Sequence, residues 1–191
     1  MIDSLYAIVD PELAERPLEL AFKALNAGCA IVQLRAKRLD DVSLLKIATR
    51  VRSACAHAGV PFFINDRADI ARLVEADGVH LGQDDISIED ARRVVGDMQI
   101  GVSTHSLQQA VRAEAEGADM IAFGPVFETR SKENPDPVVG LQMLSEVSEA
   151  VSRPLIAIGG ITPENAEETL RAGARYLAVI SALPRFVGDA P

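Results

Sequence analysis

Eight short apolar runs recur along the chain, each followed by a polar or amphipathic stretch, and no linker breaks the alternation. The runs cover residues 5–9, 30–34, 62–64, 78–81, 100–102, 121–123, 155–158 and 176–180. Near-continuous apolarity over so few residues marks strands buried on both faces, as in a parallel sheet sheathed by helices. Amphipathic stretches at 41–57, 87–95, 107–116 and 162–172 supply such a sheath. Asp40 or Asp41, Ser87 with Asp90 three residues on, and Thr162 before Pro163 read as helix starts. Gly28, Gly59, Gly117 and Gly173 fall where helices end, the position that favours a left-handed residue. Eight strands select a closed barrel over an open doubly wound sheet, and no G-x-G-x-x-G follows the first run. The expected fold is α/β, a single (β/α)8 TIM-barrel domain over residues 1–191.

One element falls short. After the eighth run only residues 182–191 remain, with Pro184, Gly188 and Pro191 among them, so the final helix is expected to be missing or truncated. The outer face of strand eight, either Leu177 and Val179 or Tyr176, Ala178 and Ile180, then forms an apolar seam. Leu183, Phe186 and Val187 lie beside it as anchors. Exposed patches of that kind mark interfaces, so a homodimer across the seam is expected.

Composition narrows the partners. Nineteen Lys and Arg stand against 28 Asp and Glu, a formal charge of −9, and aromatics are 4%. A nucleic-acid binder needs a basic face and stacking platforms, and this chain has neither. No apolar run approaches the roughly 20 residues of a membrane span, and Met1-Ile2-Asp3-Ser4 shows no basic n-region leading into a long apolar stretch, so no signal peptide is expected. Cys29 and Cys55 lack metal or redox spacing and read as buried free thiols. A cytoplasmic protein acting on small molecules is expected.

Barrel enzymes carry their chemistry where strands end, and here those positions are polar. Asp10 follows the first strand. Gln33, Arg35 and Lys37 alternate along the second and so point to one side, toward the barrel mouth. Two cations and an amide suit a polyanion and a polar heterocycle, drawn in against an unfavourable overall field. Asn65 and Asp66 end strand three, Asp85 follows strand four, and Ser103 ends strand five. Asp66 and Asp85 end adjacent strands; two hard oxygen donors with room for water and phosphate describe a Mg²⁺ site. Asp84 reads as a cap or a solvated neighbour. The segment 124–140 is long for a βα loop, which marks function, and it holds Thr129, Ser131 and Lys132. Gly159-Gly160 and Ile180-Ser181 fall after strands seven and eight, where barrels bind phosphate.

The combination of Gln33-x-Arg35-x-Lys37, Ile64-Asn65-Asp66 and Asp77-Gly78-Val79-His80-Leu81-Gly82-Gln83-Asp84-Asp85 is distinctive. With Gly101-Val102-Ser103-Thr104-His105-Ser106, Gly124-Pro125-Val126-Phe127, Thr129-x-Ser131-Lys132 and Ala157-Ile158-Gly159-Gly160-Ile161, it resembles the thiamine-phosphate synthase family from about Tyr6 to Ser181. The resemblance implies a transferase that couples hydroxymethylpyrimidine diphosphate to a thiazole phosphate, giving thiamine monophosphate and diphosphate by a dissociative displacement. It implies that Gln33, Arg35 and Lys37 bind the pyrimidine diphosphate with help from Asn65 and Lys132, while Ser103 contacts the pyrimidine. It gives Mg²⁺ to Asp66 and Asp85. Thr129, Ser131, Gly160, Ile180 and Ser181 take the thiazole phosphate. Arg35, Lys37, Lys132 and Ser103 then carry the catalysis.

Departures exist. Ala36 replaces a common glutamate, Ser131 a threonine, Arg130 adds a charge, and Glu128 stands where proline is usual. Phe127-Glu128-Thr129 is similar to the related thiazole tautomerase, an isomerase that uses a histidine at the position of His105. That isomerase has no reason to keep Gln33, Arg35, Lys37, Asp66 and Asp85 together. A non-catalytic barrel that binds a thiamine precursor is the third alternative. Under the synthase expectation His105 and His80 are structural, and His57 is a surface residue at a helix end.

Overall fold

A computed structural model describes residues 2–129 and 136–188 of the chain. Eight parallel strands close into a barrel in chain order: β1 (Leu5–Val9), β2 (Ile31–Leu34), β3 (Phe62–Asn65), β4 (Gly78–Leu81), β5 (Gln99–Thr104), β6 (Met120–Phe123), β7 (Leu155–Ile158) and β8 (Tyr176–Val179). The helices between them are α1 (Pro17–Ala27), α2 (Asp41–Ala58), α3 (Ala68–Leu73), α4 (Ile88–Val95), α5 (Leu107–Ala115), α6 (Gly140–Ala150) and α7 (Ala166–Arg171), with α8 (Leu183–Phe186) after β8. β8 pairs with β1, Leu5 opposite Leu177, which completes the ring. No helix among the described residues is long and apolar enough to cross a membrane.

Strand alternation sorts the core into two layers. On β1, Leu5, Ala7 and Val9 face the helices, and Tyr6 and Ile8 face the lumen. Phe63, Met120, Ile156 and Ala178 fill the lumen with them. The expected helix signals work where the backbone geometry allows. Asp40 accepts the Ser43 N–H at 3.0 Å and Ser87 accepts that of Asp90 at 3.0 Å. Gly28, Gly59, Gly117 and Gly173 all have φ between 68° and 104°. Cys29 and Cys55 are buried and unlinked, and burial pushes their thiols up to about 11 and about 12, out of the reactive range.

Two expectations are corrected. Thr162 does not cap the seventh helix: its N–H donates to the Asn165 side chain at 2.8 Å, closing a turn that delays α7 to Ala166. The final helix is truncated as expected, yet the seam beside it is not bare. Leu177 and Val179 are the outward pair on β8 and are 0% and 2% exposed. Leu183 of α8 is fully buried against that layer, with Phe186 and Val187 packed on it. One helical turn is enough to cover a four-residue strand, so the homodimer loses the exposed surface that argued for it.

Candidate active site

The mouth of the barrel has two halves, and β2 builds the first. Gln33, Arg35 and Lys37 share a face, but at three depths. Gln33 does not reach the mouth as expected: it is 2% exposed in the lumen, where its Nε2 donates to the Tyr6 hydroxyl at 2.9 Å. Burial pushes the Tyr6 hydroxyl far above its usual range, so it stays protonated. Arg35 sits higher, bonded through Nη1 to Asp10, whose side chain is wholly buried at the end of β1. Lys37 stands at the rim, 3.2 Å from Asp66. Two of the three cations expected for the diphosphate, Arg35 and Lys37, are therefore paired with carboxylates.

The β3 end makes a sharp turn. Arg67 N–H donates to the Asn65 carbonyl at 2.7 Å, and Asp66 between them has φ +62°. A left-handed residue other than glycine costs about 1–2 kcal/mol, and aspartate is among the few that tolerate it. Arg67 then grips Asp69 through two bonds and Asp41 of α2 through a third at 2.7 Å, which fixes the turn from outside. The result aims Asp66 at Asp85. Asp85 is itself held by the Gly82 N–H at 2.6 Å.

Burial, and then the neighbouring Asp85 carboxyl, push the Asp66 carboxyl above its ordinary range, while Lys37 pulls it down. A cation placed between two partly buried carboxyl groups offsets that cost. The donor set fits a hard divalent ion such as Mg²⁺, which takes one or two carboxylates and completes its shell with water and phosphate. No group of three or more acidic, His or Cys side chains that could hold a metal occurs among the described residues. Asp84 is exposed, as expected of a solvated neighbour.

Ser103 joins the halves. Its hydroxyl lies 2.9 Å from His80 Nε2, and its carbonyl accepts from Gln83 Nε2 at 2.6 Å. His80 reaches it because its partner in the β4–β5 register is Gly101, where a Cβ would meet His80 Nδ1 at 2.7 Å. Asn65 is the register partner of His80 on β3, so Asn65, His80 and Ser103 follow one another around the ring.

The second half is a cavity of about 670 Å³. Ser103, Thr129, Gly160, Ile180 and Ser181 line it, so five of the expected site residues meet there. Its floor depends on two glycines. Gly159 has φ +96° and a Cβ on it would lie 2.5 Å from Pro125; at Gly160, φ +65°, one would lie 2.5 Å from the Glu128 carbonyl. The β6–α6 loop is laced onto this floor by Val126 N–H to Ile158 at 2.9 Å and Phe127 N–H to Gly159 at 3.0 Å. Asn65, Asp66 and Lys37 line a smaller hollow of about 180 Å³ in the first half. Ser131 and Lys132 lie outside the described residues.

His105 also borders the large cavity, its Nδ1 2.5 Å from the Gly124 carbonyl and its Nε2 3.4 Å from Asp136. His57 is exposed in the last turn of α2. Three participants carried no assigned role in the sequence. Tyr6 looks like any barrel-filling aromatic. His80 reads as core. Asp10 did carry a signal, an ionisable residue directly after five buried ones.

A family model described as thiamine monophosphate synthase matches residues 5–183. The chain is 48% identical over 183 residues to a thiamine-phosphate synthase of Methanocella arvoryzae, covering 94% of this chain and 86% of the relative. It is 41% identical to one of Bacillus velezensis, covering 87% and 76%. A thiamine phosphate pyrophosphorylase from Pyrococcus furiosus superposes with a TM-score of 0.86 at 34% identity, covering 98% of this chain and 96% of that one. An N-acetylmannosamine-6-phosphate 2-epimerase from Clostridium perfringens, 15% identical with a TM-score of 0.71, shares the fold.

Proposed function

The chain belongs to the thiamine monophosphate synthase family, and we propose that it is a transferase of thiamine biosynthesis that joins hydroxymethylpyrimidine diphosphate to thiazole phosphate. The observation that carries this is the two-part mouth: an acidic and cationic half on β2–β4 beside a glycine-floored cavity on β5–β8 with room for a phosphorylated heterocycle. Two phosphorylated substrates need two such subsites in contact.

In the proposed reaction the bond from the pyrimidinylmethyl carbon to the diphosphate oxygen breaks, and its electron pair leaves with diphosphate. The electron-rich aminopyrimidine carries the resulting cation, and the thiazole nitrogen then bonds to that carbon. Arg35, Lys37 and Lys132 neutralise the departing diphosphate, the step where charge grows fastest. Asp66 and Asp85 would hold Mg²⁺, which would supply further positive charge to the departing diphosphate. Ser103 orients the pyrimidine, its hydroxyl held by His80, while Gln33, buried on Tyr6 in the lumen, supports the site from below. Thr129, Ser131 and the backbone at Gly160, Ile180 and Ser181 hold the thiazole phosphate and so align its nitrogen.

The test is direct. The purified protein with both substrates and Mg²⁺ forms thiamine monophosphate and diphosphate in equal amounts, followed by chromatography. Absence of both products removes the proposal. The placement of His105 on the large cavity favours the tautomerase as second reading, and isomerisation of a thiazole precursor without any pyrimidine substrate would select it. Binding of either precursor with neither activity would select a non-catalytic barrel.

A further inference from the structure

The Asp10–Arg35 pair differs from every other ion pair among the described residues. The Asp10 side chain is 0% exposed and that of Arg35 17%, whereas Lys37 and Asp66 at the rim stand at 52% and 23%. Asp10 is also fixed from behind: its Oδ1 accepts the Glu12 N–H at 2.9 Å. Arg35 is tied through its own backbone, its N–H donating to the Val9 carbonyl at 3.0 Å. Just beyond, Glu12 accepts the Arg38 N–H at 2.8 Å. The β1–α1 and β2–α2 loops are thus laced together around the guanidinium.

Such a pair does not dissolve when an anion arrives, because an unpaired carboxylate in that position would be a buried bare charge. A guanidinium need not let go. It carries five N–H donors in a rigid fork, and the bond to Asp10 is made through Nη1. One edge can stay on Asp10 while the others meet phosphate oxygens. Lysine at the rim has no such fork; its ammonium is a compact point charge on a flexible stem.

We propose that Asp10 is a positioning residue for the coupling reaction, holding Arg35 in the one orientation from which its free edge meets the leaving diphosphate. The proposal rests on the synthase reading above. Asp10 touches no substrate; it acts through Arg35 alone, so its effect falls on the diphosphate-bearing substrate and disappears when Arg35 is gone.

The experiment is a double-mutant cycle of Asp10→Asn and Arg35→Gln, read by steady-state kinetics and by calorimetric binding of inorganic pyrophosphate with Mg²⁺. Asp10→Asn retains the oxygen that accepts the Glu12 N–H. It is expected to lower kcat/KM for the pyrimidine diphosphate roughly 30- to 100-fold, the scale of a misplaced catalytic contact. The KM for thiazole phosphate should stay within about twofold, since that subsite lies across the barrel. In the Arg35→Gln background the same change should cost less than about threefold. The Asp10→Asn/Arg35→Gln double variant leaves no charge in that pair and serves as the folded reference if Asp10→Asn alone proves unstable.

Effects that multiply independently, an equal rise in KM for both substrates, or full activity in Asp10→Asn would each overturn the proposal. Pyrophosphate binding separates its fate from that of the function. A wild-type chain that binds pyrophosphate but makes no thiamine monophosphate refutes the synthase reading, while the cycle in pyrophosphate affinity still decides Asp10. Loss of coupling in that cycle refutes Asp10 even in an active enzyme.

Discussion

The two ends of the barrel use the same residue types for opposite purposes. At the base, Arg92 of α4 bonds Asp119 at 2.7 Å and also donates to the carbonyls of Met98 at 2.5 Å and Gly96 at 2.8 Å. Asp119 at once accepts the Ile100 N–H at 2.9 Å. Arg52 and Asp77 repeat the device beneath β3: Arg52 donates to the Glu75 carbonyl at 2.7 Å and Asp77 accepts the Phe62 N–H at 2.8 Å. These pairs stitch backbone groups that the closed ladder leaves over at strand starts. At the mouth, Arg35 and Lys37 bond side-chain carboxylates and no backbone carbonyl. A cation held only by carboxylates can take phosphate oxygens instead, or as well, without orphaning a peptide group. At the base, Arg52 and Arg92 are thus committed to the backbone, whereas Arg35 and Lys37 at the mouth keep donors that the proposed chemistry can use.

That contrast breaks most sharply at Asp85. Asp85→Asn keeps an oxygen for the Gly82 N–H but loses charge, so coupling at limiting Mg²⁺ should fall by roughly 1,000-fold, the upper range for losing one electrostatic contact. The melting temperature should hold. A variant that retains near wild-type turnover in a magnesium titration would remove Asp85 from the metal site.

Lys37→Ala comes next. It should cost about 1.5–3 kcal/mol of transition-state stabilisation, roughly ten- to 150-fold in kcat/KM for the pyrimidine diphosphate. Its exposed bridge to Asp66 adds at most about 1 kcal/mol to stability, so thermal unfolding should barely move. Arg92→Ala should do the reverse. Losing bonds to three carbonyls, that of Gly117 the longest, and a carboxylate costs about 2 kcal/mol of stability, a drop of roughly 4–8 °C in Tm, with turnover per folded molecule unchanged. If Arg92→Ala lowered kcat and Lys37→Ala lowered Tm, the division between base and mouth would be wrong.

The smallest effect is expected at His105. Its Nδ1 is engaged by the Gly124 carbonyl, so it shapes the cavity wall, and His105→Ala should lower coupling by less than about fivefold. Complete loss of activity in that variant, measured with a thiazole precursor alone, would point to isomerase chemistry.

Much of this was legible in the sequence because it is local. The strand runs are apolar on both faces, which fixes β1, β4 and β7 to the residue and the others to within two. The caps at Asp40 and Ser87 need only their own next turn. The strand-end rule found Asp66 and Asp85 because β3 and β4 are neighbours in chain order as well as in space. What stayed hidden depends on distant partners. Gln33 and Tyr6 are 27 positions apart, and alternation gives a face, not a depth, so the lumen site of Gln33 could not be read. Thr162-Pro163 has the look of a helix start, but the Asn165 side chain captures the Thr162 N–H first. The seam at β8 looked bare because four helical residues are too few to show a period, yet Leu183 fills it with Phe186 and Val187 packed beside it.

Asp66 answers to two masters, the left-handed turn it occupies and the charge it must carry. Backbone geometry admits glycine and asparagine there as well, while the proposed metal site admits neither. A fully randomised codon at this position would therefore be filtered twice. Survivors of a selection for folded protein should include the Asp66→Gly and Asp66→Asn variants alongside the aspartate, each in number. Survivors of growth without thiamine should carry aspartate alone. The gap between those two populations measures, at one codon, how far the chemistry narrows what the fold permits.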